Sequence, residues 1–196
     1  MPARAGVQRF AAELRSASMD GGTLAGHAAV FDQVADLGPW GLERLAPTAF
    51  DAALEAGADP RFLRDHDPSR LLGRRSSGTL RILPDADGLG FEVDLPDTED
   101  GRTVRELTGR GDLTGCSFAF VPGSWSMDEL EVEGATRQVL THHSVAELLD
   151  LSVVTYPAYE GASASLRAVN LNPARPDGRS RIIRARHAAR YSRGKE

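Results

Sequence analysis

Alternating and β-prone stretches recur along the chain, and a period of two is typical of β-strands. They predict strands at 7–16, 23–31, 43–46, 71–76, 79–83, 89–95, 137–143 and 145–155. Residues 111–120 end in alternating Phe118, Ala119 and Phe120, which predicts a further strand with two different faces. Ser117 lies in this strand, where packing would favour an apolar residue. The acidic stretch 128–133 is predicted to be a hairpin or a flexible loop.

Two helices interrupt the strands. The first is predicted to begin at Pro47, a residue suited to the first helical position, with Phe50 and Leu54 on one face. The second is capped by Asp97 or Thr98 and reaches about residue 110. The elements together predict a mainly β protein with flanking α-helices, in which the strands form a closed or nearly closed β-barrel.

A charged cluster follows the short apolar strand that begins at Arg61. It contains His66 between Asp65 and Asp67, directly before Pro68. The proline is expected to force the chain out of regular structure, which leaves His66 near a strand end, where functional side chains are often placed. The two aspartates are candidates to orient or charge the histidine, or are simply solvated.

The composition is that of an ordinary soluble protein. The chain has 196 residues, of which 41% are hydrophobic and 26% charged, enough for one domain with a real core. No stretch approaches the roughly 20 apolar residues of a membrane helix, and the N-terminus lacks the apolar core of a signal peptide. Cys116 is the only cysteine, which excludes an internal disulfide and agrees with a reducing compartment such as the cytosol.

Charge divides the chain into an acidic body and a basic end. Residues 175–196 carry eight Lys and Arg against two acids, a local charge of +6, whereas the whole chain carries −5. We therefore expect a folded domain at 1–168 and a basic, flexible tail at 169–196. Such a tail contacts nucleic acid or an acidic protein surface, or is simply solvated.

Metal chemistry is disfavoured by the spacing of the histidines, which are His27, His66, His142, His143 and His187. A zinc site would have to combine the second of these with the adjacent pair. Adjacent residues of a strand point to opposite faces and cannot easily share one metal. We therefore expect neither a metal nor another cofactor.

Nucleophilic catalysis needs a serine or cysteine and a base within hydrogen-bond reach. Ser117 lacks the Gly-x-Ser-x-Gly elbow of α/β-hydrolases, but it would serve if His66 lay on a neighbouring strand. Cys116 is the competing nucleophile, and strand alternation turns it to the opposite face. From the pattern alone, a small buried serine without a catalytic role remains the simplest interpretation.

Short motifs occur in a fixed order over about residues 22–160. They are GHAAVFD at 26–32, PTAF at 47–50, DHD at 65–67 with LGR at 72–74, GTL at 78–80, GLGF at 88–91, RGDLTGCSFAF at 110–120 and LSVVTYPAY at 151–159. Together they resemble the HK97-type phage prohead (capsid maturation) protease family.

The resemblance implies a serine endopeptidase with a β-barrel fold related to the herpesvirus assemblin proteases. The family histidine corresponds to His66 and the family serine to Ser117. The third member corresponds to Asp150, where the family commonly has Glu, one methylene longer. Glu147 and His143 are the fallback candidates, the latter because assemblins use a second histidine.

The implied chemistry is acyl transfer, with Ser117 as nucleophile, His66 as general base and acid, and Asp150 fixing the imidazole. The implied substrates are scaffold and the scaffolding region of the major capsid protein, with self-cleavage, inside the procapsid in the host cytoplasm. Two alternatives stay open: a non-catalytic capsid assembly module that binds scaffold or DNA through its basic tail, and a cysteine hydrolase that uses Cys116.

Overall fold

The computed structural model describes residues 8–13, 18–20, 22–36 and 41–156. Within these ranges the protein is mainly β, as predicted, with two short helices. The strands are β1 (Gln8–Glu13), β2 (Ser18–Asp20), β3 (Thr23–Val30), β4 (Ala35–Asp36), β5 (Leu42–Leu45), β6 (Arg61–Arg64), β7 (Asp67–Arg74), β8 (Leu80–Pro84), β9 (Gly88–Asp94), β10 (Gly115–Pro122), β11 (Trp125–Val132), β12 (Ala135–His142) and β13 (Val145–Val154). The helices are α1 (Asp51–Glu55) and α2 (Glu99–Gly109). The predicted tail at 169–196 and His187 lie outside the described residues.

The strands in the described ranges form three sheets. A five-stranded sheet has the order β1-β10-β13-β6-β7, and two four-stranded sheets have the orders β2-β3-β9-β8 and β11-β12-β5-β4. In the first sheet, β13 lies at the centre, antiparallel to β10 and parallel to β6. Within the described ranges none of the sheets closes on itself, so the closed barrel stays a prediction.

Phenylalanine rings fill the core on one face of the five-stranded sheet. Phe118 packs edge-on against Phe50, with ring centroids 5.5 Å apart, and stacks on Phe120 at 5.4 Å. All three rings are buried, and each stabilises the fold by about 2 kcal/mol. The core thus fixes the backbone of β10, while the opposite face of the strand carries different side chains.

The first helix begins later than predicted. Residues 47–50 form a turn, in which Ala49 N–H donates to Ala46 O at 3.0 Å. The first α-type bond joins Leu54 N–H to Phe50 O, also at 3.0 Å, so the helix begins at Asp51 and not at Pro47. The proline initiates the preceding turn instead. The short helix contacts β13.

Thr98 is the cap of α2. Its hydroxyl accepts a hydrogen bond from Gly101 N–H at 3.2 Å, whereas the carboxylate of Asp97 pairs with Arg102 at 2.7 Å. Two acids in the first turn, Glu99 and Asp100, complement the helix dipole. No helix in the part of the chain that the structure describes is long and apolar enough to cross a membrane.

Pro68 does not end the strand, contrary to the prediction, but it lies where the pairing is irregular, because the register moves from Arg64↔Asp67 to Leu63↔Leu71. It is the second residue of β7, which begins at Asp67 and not at residue 71. Among the described residues, the strand is at the edge of its sheet and pairs with β6 alone. An edge strand tolerates proline because one side of it needs no backbone donor. The early start of β7 reduces the connection from β6 to the two residues Asp65 and His66.

The acidic stretch at 128–133 is part of a hairpin, one of the two predicted alternatives. Strands β11 and β12 pair in regular antiparallel register from Trp125↔His142 to Val132↔Ala135. Glu133 and Gly134 form the turn, both with positive φ. Such a two-residue turn matches the natural twist of the strands.

Candidate active site

Ser117 lies on the face of β10 that points away from the phenylalanine core. Its register partner on β13 is Ser152, and its side chain is buried. Cys116 belongs to the core cluster on the opposite face. The predicted alternation along this strand is therefore confirmed, and the serine and the cysteine do not share a surface.

His66 occupies the second position of the two-residue turn between β6 and β7. Asp65 and His66 both have positive φ, 52° and 56°. This left-handed geometry suits a tight hairpin turn, and Asp and His are among the non-glycine residues that adopt it most often. Non-glycine residues in this region are strained and persist where surrounding contacts hold them.

Contacts with the end of β13 hold this turn. Asp65 N–H donates to Val153 O at 2.9 Å, and the Asp65 carboxylate accepts a hydrogen bond from Thr155 N–H at 2.8 Å. The Asp67 carboxylate bonds Ser69 instead, at 2.9 Å to its amide. The two aspartates beside His66 were predicted to orient or charge it. Their hydrogen bonds go elsewhere, so Asp65 acts on the turn and not on the imidazole.

A second anchor lies on the other side of the hairpin. Arg64 donates through Nη1 to Asp100 Oδ1 at 3.0 Å, and Arg70 approaches the same oxygen at 3.9 Å. Asp100 is in the first turn of α2, where the helix dipole stabilises its negative charge. Helix α2 thus contacts, through Asp100, both of the strands that flank the His66 turn.

The imidazole of His66 joins two side chains that are distant in sequence. Its Nε2 lies 2.7 Å from Ser117 Oγ, and its Nδ1 lies 2.5 Å from Asp150 Oδ1. His66 does not lie on a strand next to β10, since β13 separates the two hairpin strands from it. The histidine reaches Ser117 across the end of β13, while Asp150 extends from β13 itself.

The protons in this chain of contacts follow from the donors present. An ionised carboxylate only accepts, so Asp150 requires the proton of His66 on Nδ1. Nε2 then carries the lone pair and accepts the hydroxyl proton of Ser117. This order, a nucleophile, a base and a group that orients the base, is the arrangement that acyl transfer requires.

Both fallback candidates for the third position lie outside this arrangement. Glu147 is exposed on β13, and His143 Nε2 bonds Ser126 Oγ at 2.7 Å. Asp150 reaches the imidazole although it is one methylene shorter than Glu. The carboxylate of Asp150 is close to the imidazole because β13 is hydrogen-bonded to the turn through Val153 O and Asp65 N–H.

The four histidines that the structure describes do not gather at one site. His142 is buried on β12 and pairs with Glu43 at 3.1 Å, whereas His27 bonds Asp85 at 2.8 Å. Within the described ranges, no group of three or more His, Cys, Asp or Glu side chains is arranged to hold a metal ion.

Ser152 is a fourth side chain at the site, and the sequence analysis assigned it no role. Its Oγ lies 2.9 Å from Asp150 Oδ1 and 3.2 Å from His66 Nδ1, and the residue is fully buried. The sequence could have indicated this position, because residues two apart on a strand lie on the same face, and Asp150 and Ser152 have this spacing.

Burial makes Cys116 a poor nucleophile. Its side chain is inaccessible in the core, and desolvation raises the pKa of the thiol to about 12. The reactive form of cysteine is the thiolate, which burial in apolar surroundings disfavours. The geometry therefore gives the cysteine alternative no support.

The sequence was compared with models of known protein families. A family model described as Caudovirus prohead serine protease matches residues 10–175. The chain belongs to this family. Comparisons with curated proteins and with solved structures gave no match. The family match confirms the prohead protease resemblance, and it covers every strand and helix described here except the first two residues of β1. A caudovirus prohead serine protease is a capsid maturation enzyme of bacteriophages.

Proposed function

We propose that this member of the prohead protease family is an active serine endopeptidase with Ser117 as nucleophile, His66 as general base and acid, and Asp150 as the orienting group. The observation that carries the proposal is the imidazole of His66, which lies 2.7 Å from the serine hydroxyl and 2.5 Å from the carboxylate. Family membership supports the reaction class.

Acylation is the first half of the reaction. Ser117 Oγ attacks the carbonyl carbon of the scissile peptide as its proton passes to His66 Nε2. The imidazolium that forms is stabilised by Asp150 through the Nδ1 proton. His66 then returns the proton to the leaving nitrogen, the carbon–nitrogen bond breaks, and an ester joins the acyl group to Ser117.

Deacylation repeats these transfers with water. His66 Nε2 takes a proton from water as its oxygen attacks the ester carbon. The ester bond breaks, and the proton returns from the imidazolium to Ser117 Oγ. Each proton that leaves a nucleophile is thus delivered to a leaving group, and the site returns to its starting state.

The substrates we propose are scaffold and the scaffolding region of the major capsid protein, cleaved within the procapsid in the host cytoplasm. We further propose that residues 1–168 form the catalytic domain, with a fold related to the assemblin barrel, and that residues 175–196 of the tail serve in encapsidation or self-cleavage. Charge supports a separate role for the tail, since residues 175–196 are basic and the body is acidic.

Co-expression with the cognate major capsid protein tests the activity. Mass analysis should find new capsid protein fragments with the wild type and none with Ser117→Ala. Cys116→Ser is the matched control on the neighbouring residue and should retain processing wherever it folds. Processing by Ser117→Ala would favour the assembly-module alternative, and loss of processing in folded Cys116→Ser would favour the cysteine alternative.

The tail is tested separately. If the tail serves in encapsidation, fewer copies of a chain that ends near Asn172 should be packaged per procapsid than of the full chain. If the tail is removed by self-cleavage, mature particles should contain a shortened protease. Normal packaging of the truncated chain, together with an intact tail after assembly, would count against this role.

A further inference from the structure

Ser152 places a buried hydroxyl between the two polar partners of the imidazole. It lies on β13 directly opposite Ser117, and its backbone position is fixed by pairing on both sides, with β10 and with β6. The side chain is fully buried and faces Asp150 and His66. A buried hydroxyl needs hydrogen-bond partners, and these two residues provide them.

The hydrogen-bond partners of Ser152 determine where its single hydroxyl proton points. Asp150 can only accept when ionised, so Ser152 donates to Oδ1 across 2.9 Å. The lone pairs of Ser152 Oγ then remain for His66 Nδ1, 3.2 Å away. The Nδ1 proton therefore meets two acceptors, with Asp150 at 2.5 Å as the closer one. The three groups form a closed triangle of hydrogen bonds.

We infer that Ser152 is a positioning residue for the reaction, a role that rests on the proposed function. It holds Oδ1 of Asp150 in the direction of the imidazole and selects the tautomer of His66 that carries its proton on Nδ1. This tautomer leaves Nε2 as an acceptor for Ser117.

The opposite tautomer breaks the triangle. Nδ1 would present a lone pair to the Asp150 carboxylate, and the Ser152 proton would have to serve one of two competing acceptors. Nε2 would carry a proton and face the hydroxyl of Ser117 as a donor. During acylation the triangle also has a second effect, because the positive charge on His66 meets two oxygen acceptors that are already in position.

Kinetics of paired variants test the role of the hydroxyl. Ser152→Ala should lower kcat for peptide cleavage by about 10- to 100-fold, the range of hydrogen bonds to charged groups, with KM nearly unchanged. Ser152→Thr and Ser152→Val add the same volume, and only the former keeps a hydroxyl. The threonine variant should therefore exceed the valine variant in kcat by a similar factor.

Thr141 offers a matched control. It is also buried and donates its hydroxyl to a carboxylate, that of Asp128, on a different sheet. Thr141→Val removes this hydroxyl and should leave kcat close to that of the wild type. Equal kcat in Ser152→Thr and Ser152→Val would assign Ser152 to packing alone and overturn the inference, as would wild-type kcat in Ser152→Ala.

Nitrogen-15 NMR of the imidazole gives a readout that needs no substrate. In the Ser117→Ala background, His66 should show a protonated Nδ1 with a low-field proton resonance. Adding Ser152→Ala, or Ser152→Val if the alanine variant does not fold, should broaden this resonance and increase the population with the proton on Nε2. An unchanged spectrum would overturn the inference. Failure of the proposed function is recognised separately, by processing that persists in Ser117→Ala with Ser152 intact.

Discussion

The carboxylate of Asp65 accepts a hydrogen bond from the backbone amide of Thr155 at 2.8 Å. This contact joins the turn that bears His66 to the end of the strand that bears Asp150. The turn has two consecutive residues with positive φ, a geometry that His adopts at a cost of about 1 to 3 kcal/mol. The Asp65 contact thus stabilises the strained backbone that sets the direction of the imidazole, and the strain is local to the site.

Asp65→Ala should lower kcat by about tenfold, because a small displacement of the imidazole disrupts both of its contacts. The free energy of unfolding should fall by about 1 kcal/mol. Asp65→Asn keeps an oxygen acceptor and tolerates positive φ, so it should stay near the wild type. Asp67→Ala, on the other side of His66, is the control, since the Asp67 carboxylate bonds Ser69 and approaches Arg70. An equal loss in both alanine variants would contradict the anchoring role.

Asp150→Asn should reduce kcat by about 10⁴-fold while the fold is retained. The amide that replaces the carboxylate can donate to Nδ1, which favours the tautomer with the proton on Nε2. Steady-state cleavage of a capsid-derived peptide measures the effect. Glu147→Ala and His143→Ala remove the fallback candidates and should leave kcat unchanged. A large loss in either of these two would reopen the assignment of the third residue.

The thiol of Cys116 should be unreactive in the folded protein. Its pKa is raised to about 12 by burial, so almost none of it is thiolate at pH 8. Modification by a thiol reagent should require unfolding and should proceed freely in denaturant. Cys116→Ala should keep full kcat and lower the free energy of unfolding by about 1 kcal/mol. Rapid modification of the native protein with loss of cleavage would argue for a catalytic thiol.

Acid should weaken the fold partly through Asp94. Two hydrogen bonds from Arg81, at 2.8 and 2.9 Å, and one from Thr23 lower the pKa of this carboxyl from 3.8 to about 2. The unfolded chain binds the proton more tightly, so the stabilisation is present above pH 4 and is lost as the pH falls towards 2. Half of the Asp94 side chain is exposed, so solvent screening keeps the effect modest.

Thermal unfolding between pH 7 and pH 2 measures this contribution. Asp94→Asn should have a lower Tm than the wild type at neutral pH, and the two curves should converge near pH 2. Parallel curves would show that the ion pair does not contribute in this window.

Local features of the fold could be predicted from the sequence because their causes are local. Alternation at 116–120 predicted correctly which of Cys116 and Ser117 faces the core, and Thr98 was one of two predicted caps. Pro68 misled the prediction because its effect depends on the position of the strand in the sheet. A proline at an edge is tolerated, and the edge becomes visible only once the strands are paired.

The sequence indicated candidate residues of the site but not the contacts between them. His66 and Ser117 were identified through the family resemblance, and their 2.7 Å contact depends on a strand order that places β13 between them. The positive φ of His66 could not be predicted, since Asp-His is not a typical sequence for such a turn. Ser152 was missed because a serine within a strand is common, and only its neighbours give it a role.

The central position of β13 also has a consequence for when the protein becomes active. This strand comes late in the chain, yet it separates β10 from β6 and carries Asp150. A nascent chain that has not yet produced it holds two disconnected halves of the sheet, with Ser117 in one and His66 in the other. Under the proposed function, a nascent chain that still lacks β13 also lacks Asp150 and cannot assemble the site, so proteolysis has to wait until this strand has been synthesised.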